Sequence, residues 1–158
     1  MKRALGILAG IVFATLVVAA PAHGEEPTRE SYVAQLEPMC EANAAANKRI
    51  MAGAKERLSN GKMVLAGKQF IRVSQSFGSL VKKIAAVSPP AADAKPVQTW
   101  IKFLRLLKQR LRTVGKYFKE EERIKANHES IQAERSGNSA NNTVYEFGFH
   151  HCRIKRFR

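Results

Sequence analysis

Two apolar stripes limit what this chain can fold into. Met63, Ala66, Phe70, Val73, Phe77, Leu80, Ile84 and Val87 follow one another in alternating steps of three and four. Val97, Trp100, Leu104, Leu107, Leu111, Val114 and Phe118 repeat the pattern. Such spacing puts the side chains on one side of a helix, so each segment is a helix with a single buried seam. The stretch "SPPAADAKP" at 88–96 separates them, because proline lacks an amide donor and clashes with the preceding turn.

Two further segments carry related spacing. Tyr32, Leu36, Met39, Asn43, Asn47, Ile50, Ala54 and Leu58 run in steps of three and four. They predict a helix that Pro38 either kinks or opens, and that "SNGK" at 59–62 stops. Near the other end, Ile124, His128, Ile131, Arg135, Asn138, Asn142, Tyr145, Phe149 and Cys152 predict a helix over about residues 120–149, with Gly137 as its weak point. Four helices on short connections read as an all-α, up-down-up-down four-helix bundle. No segment alternates with period two for long enough to suggest a sheet.

The cysteines bear on this topology independently. In such a bundle the start of the first helix meets the end of the fourth. The chain's two cysteines, Cys40 and Cys152, lie near those places. A Cys40–Cys152 disulfide is therefore expected, and closing so long a loop constrains the unfolded chain by about 4–5 kcal/mol. Two free thiols or metal ligands are the other reading of the pair.

A disulfide needs an oxidising compartment, and the first residues supply the route. Lys2 and Arg3 precede an uncharged apolar run from Leu5 to Ala20, followed by small residues suited to cleavage after Ala22 or Gly24. That is the layout of a secretory signal over residues 1–24. A retained membrane anchor is the alternative, although the run is shorter than the ~20 residues a spanning helix requires. The expected product is secreted or held in the cell envelope. Residues 25–152 form the bundle and 153–158 a basic tail, and no later stretch is apolar enough to cross a membrane.

Charge decides which partners are attracted. The net charge is +14, of which the leader accounts only for Lys2 and Arg3. Lys102, Arg105, Lys108, Arg112, Lys116 and Lys119 recur at helical spacing on the side opposite the Trp100–Leu111 seam. Arg153, Lys155, Arg156 and Arg158 add a cationic end around Ile154 and Phe157. These residues are the candidates for an anionic polymer or membrane surface. No motif for specific nucleic-acid recognition is present, and a solvated charged face is the plain alternative.

The remaining polar constellations are weaker. Counting inward from the cysteines along antiparallel helices places Asn43 and Asn47 near Asn142 and Tyr145, which predicts a buried polar layer or a ligand pocket. "EFGFHHC" at 146–152 offers His150, His151 and Cys152, but a disulfide consumes the thiol and adjacent histidines point about 100° apart on a helix. No metal site is expected. Met39 and His150 stand where some exported four-helix bundles ligate haem, giving non-covalent haem as a minority cofactor expectation; no C-x-x-C-H motif exists. Asn141-Asn142-Thr143 matches a glycosylation sequon. No nucleophile elbow, phosphate loop or paired-histidine zinc motif occurs, so the chain is not read as an enzyme.

The segments "YVAQLEPMCEANAAANKRI" and "NSANNTVYEFGFHHC" resemble the two ends of a group of small exported two-cysteine helical proteins of actinobacteria. The resemblance implies a helical secreted protein with paired cysteines, and it carries no activity or cofactor. The expectation is thus a non-enzymatic envelope protein drawn to anionic polymer or lipid. A carrier of a small ligand or haem in the bundle interior is the second reading.

Overall fold

The computed structural model describes residues 26–155. The apolar leader and its cleavage points, together with Arg156 and Arg158, lie outside the described residues. Among the described residues, four long α-helices and one short one make up the fold: α1 (Arg29–Ile50), α2 (Ala54–Ser59), α3 (Met63–Ala85), α4 (Ala94–Lys119) and α5 (Arg123–Thr143). Among the described residues there is no strand.

Thr28 opens α1 by accepting the Ser31 amide on its hydroxyl at 3.1 Å, satisfying one of the orphan donors of the first turn. The helix then runs through Pro38, which faces outward. It stops at Ile50, eight residues before Leu58, because Gly53 takes a left-handed turn and restarts the chain as α2. Pro96 falls in the first turn of α4, where its missing amide leaves no bond unmade.

Antiparallel packing follows from the cross-helix contacts. Asn43 reaches Ser76 and Gln69 reaches Ile50, so α3 runs back along α1. Gly67 and Gly115 meet at the α3–α4 crossing, and Arg110 of α4 pairs with Glu129 of α5 at 3.0 Å. The two strongest stripes behave as their spacing predicts. All seven seam residues of α4, from Val97 to Phe118, are buried, and Trp100 has no exposed surface. At the α3–α4 crossing the backbones touch. A Cβ on Gly67 would lie 2.6 Å from the Gly115 carbonyl oxygen, and one on Gly115 would lie 2.7 Å from the Gly67 carbonyl oxygen.

The fourth helix departs from expectation in two ways. It ends at Thr143, six residues before Phe149, because a 3-10 turn at Tyr145–Phe147 and left-handed Gly148 redirect the chain. Its predicted stripe also faces solvent: Ile124 is 86% exposed, Ile131 52% and Tyr145 73%. The buried side is instead Ala126, Ala133, Gly137, Ala140 and Val144, the same alternation of steps in a different phase. Gly137 does not break the helix. Its bare backbone receives Ile154, whose Cγ2 lies 2.9 Å from where a Cβ would stand.

The chain after α5 completes the bundle. Phe147, Phe149 and Cys152 are all buried in the main core. Phe149 stacks on Trp100 of α4, and Phe147 meets the edge of Tyr32 from α1. Cys152 joins Cys40 through a disulfide with Cα atoms 4.9 Å apart. The segment then returns to α5, where Asn141 pairs with both the amide and the carbonyl of Ile154 at 2.8 and 2.9 Å. It thus works as a strap between the first helix and the last. Ile154, in the basic tail, also packs against the main core.

Candidate functional site

The α3–α4 hairpin carries the most distinctive chemistry. Between Lys62 and Lys119 there are thirteen lysines and arginines and one acid, Asp93. That acid is buried at the start of α4, where both of its oxygens accept from the Arg29 guanidinium at 2.6 and 2.9 Å. The Arg29 bond, opposed in part by burial, holds the Asp93 carboxyl below the usual carboxylate range. The hairpin's only negative charge is therefore spent on tying α1 to α4.

Of the predicted α4 cations, Lys102, Arg105, Arg112, Lys116 and Lys119 are exposed and Lys108 is half-buried. Among the described residues none of the six forms an ion pair. Glycines on α3 bring two of them across the helix boundary. The Lys108 stem lies against Gly78 at 3.2 Å and the Lys119 stem against Gly67 at 3.0 Å, both measured to a Cβ built on the glycine. Lys68 and Lys82 of α3, two heptads apart and exposed, flank the same side. The basic face is consequently wider than the single helix stripe legible in the sequence. In the tail, Arg153 and Lys155 are exposed, and the anchoring of Ile154 sets them over α5.

The asparagine layer does not form as expected. Asn43 and Asn47 do meet, with Asn47 donating to Asn43 at 2.8 Å and Asn43 donating to the Ser76 hydroxyl at 2.9 Å. Asn142 and Tyr145 are exposed, because the change of phase in α5 turns them outward. The amides therefore join α1 to α3, not to the last helix.

The histidine region has a different role from ligation. His150 and His151 are exposed, and their backbone amides donate to the two carboxylate oxygens of Glu37 at 2.6 and 2.8 Å. Glu37 thus holds the strap to α1 beside the disulfide. Met39 is half-buried against the core, while Phe149 fills the interior alongside Trp100. Met39 and His150 do not line a shared interior space in this arrangement: one packs inward and the other faces water. No group of three or more His, Cys, Asp or Glu suited to a metal ion occurs among the described residues. The amide of Asn141 in the sequon is taken by the Ile154 carbonyl.

No helix among the described residues is long and apolar enough to cross a membrane. Comparison with protein-family models, with curated proteins and with solved structures finds no match.

Proposed function

We propose that this is a non-enzymatic protein of the cell envelope that binds an anionic surface, polymer or lipid, through the face shared by α3 and α4. The observation that supports it is the charge segregation of the hairpin. Its one carboxylate is buried and paired, whereas most of its cations stand in water without partners, Arg110 with its bond to Glu129 being the exception. A face of one sign attracts a polyanion along its whole length, and the attraction weakens as salt screens it. The disulfide suits an oxidising compartment, and the apolar leader would deliver the chain there. The tail residues Arg153 and Lys155 would extend the contact.

The test is co-sedimentation of the mature protein with phosphatidylglycerol vesicles, compared with phosphatidylcholine vesicles, across a salt series. Binding to the anionic vesicles should weaken about tenfold or more between ~50 and ~500 mM salt. Replacing Lys102, Arg105, Arg112 and Lys116 together by Gln should abolish it while leaving the helical circular dichroism unchanged. Salt-insensitive binding, or full retention by the fourfold variant, would rule the face out.

A further inference from the structure

We propose that the α3–α4 face takes one kind of polyanion, a linear polyol-phosphate polymer laid along the two helices, in preference to a lipid bilayer. This rests on the reading of that face as the binding surface and names its partner. Every exposed residue of α4 from Lys102 to Lys119 is a cation or an amide: Lys102, Arg105, Gln109, Arg112, Lys116 and Lys119. They follow in steps of three and four, so they form one ridge along the helix. Between Lys68 and Lys82 the exposed residues of α3 are Lys68, Arg72, Gln75, Ser79 and Lys82. The spacing is the same, and again there is neither an acid nor an apolar side chain.

The two ridges belong to one surface. Their helices are antiparallel, and the backbones touch where Gly67 meets Gly115. The bare backbones of Gly67 and Gly78 let the stems of Lys119 and Lys108 lie across the helix boundary, 3.0 and 3.2 Å from a Cβ built on each glycine. Cations of α4 are thereby carried onto α3. Among the described residues none of the cations on either ridge forms an ion pair. Exposed acids begin at Glu120, beyond the end of the α4 ridge. At 1.5 Å per residue, the ridge from Lys102 to Lys119 is about 25 Å long.

The composition of the ridges selects the partner. A helix seated at a lipid interface buries apolar side chains among its cations. Here the exposed large apolar residues stand elsewhere: Val64 and Leu65 in the first turn of α3, Ile124 and Ile131 on α5, and Tyr145 just after it. Proteins that hold single-stranded nucleic acid stack its bases on aromatic side chains, and neither ridge exposes one. The ridges offer guanidinium and ammonium groups for phosphates. Gln75, Ser79 and Gln109 stand among them to hydrogen-bond hydroxyls. A polyol-phosphate chain repeats these two groups along its length. A row of cations meets such a chain one phosphate after another and has no need to converge on a single point.

Calorimetric titration of the mature protein with synthetic glycerol-phosphate oligomers tests the inference. An octamer should bind about tenfold or more tighter than a dimer, because each added phosphate meets another cation. Its log K should fall with log salt at a slope of about −3 to −4, the value for about five contacts with a single strand. Arg105→Gln with Arg112→Gln should weaken the octamer about tenfold or more and flatten that slope by about 1–2. Lys48→Gln with Arg49→Gln, exposed on α1, should change the affinity less than about twofold. A thymidine octamer should bind no tighter than the glycerol-phosphate one, and excess glycerol-phosphate octamer should release the protein from phosphatidylglycerol vesicles. Equal affinity for dimer and octamer, tighter binding of the thymidine octamer, an unaffected Arg105/Arg112 variant, or vesicle binding that excess octamer leaves intact overturns the polymer. In each of those cases the face itself still stands or falls on whether the fourfold Gln variant loses the vesicles.

Discussion

Tyr32 shows how a single residue in this core carries a liability. Its ring packs on Phe147 and is almost wholly buried, yet its hydroxyl has no hydrogen-bond partner. Burial pushes the phenol up to about 12. An unfolded tyrosine ionises near pH ~10, so between those values the unfolded chain has lost a proton that the folded one retains. Stability must fall as pH rises through that interval. Tyr32→Phe removes both penalties while keeping the ring. The variant should be as stable as the parent or about 1 kcal/mol more stable at pH 7, and it should lose less stability from pH 10 upward. Urea unfolding at pH 7 and at pH 10.5 decides this. A clear loss of stability at pH 7 would mean that the hydroxyl has a partner after all.

Among the elements, legibility in the sequence followed side-chain size. In α3 and α4 the large residues are the buried ones, so spacing identified both the helices and their inward faces. In α5 the small residues Ala126, Ala133, Gly137 and Ala140 are buried, which allows close approach to α4 and to the strap. Hydrophobicity favours Ile124 and Ile131 over them, so spacing alone points to the wrong phase of the seam, and to Asn142 and Tyr145 with it. The pairing of Cys40 with Cys152 was legible because it depends only on topology. The Glu37 contact was not, since it uses backbone amides that any residues at 150 and 151 would present. Glu37 supplies a test of the strap at this scale. A glutamine there has one carbonyl oxygen where the carboxylate has two, so Glu37→Gln should cost about 1–2 kcal/mol. The His150 and His151 amides should exchange with solvent faster while those of α4 keep their protection. Unchanged exchange at both amides would show that the disulfide and the Asn141–Ile154 pairing hold the strap alone.

At the scale of the whole molecule, the arrangement of charge makes binding and stability respond to salt in opposite directions. Cations crowd the α3–α4 hairpin, and the exposed acids sit on α1 and just before it, on α2, in the turn between α4 and α5, and at Glu146 after α5. Most of the hairpin's cations therefore repel one another in the folded state, with Arg110–Glu129 as a local exception. Unfolding relieves the repulsion by spreading the charges apart. Salt at ~0.15 M shortens the range of the interaction to about 8 Å and screens that repulsion in the free protein. The melting temperature should accordingly rise from ~10 mM to ~200 mM sodium chloride, over the same range in which binding to anionic vesicles weakens. The fourfold Gln variant of the α4 face lacks much of the repulsion, so its melting temperature at low salt should lie above that of the parent and vary less with salt. A surface whose charges were balanced by neighbours would behave otherwise: salt would lower its stability by screening favourable pairs, and neutralising four lysines and arginines would destabilise it. Melts of the two proteins across one salt series separate these cases. A parent that loses stability with added salt would show that the face is neutralised within the fold and is not held open for an anionic partner.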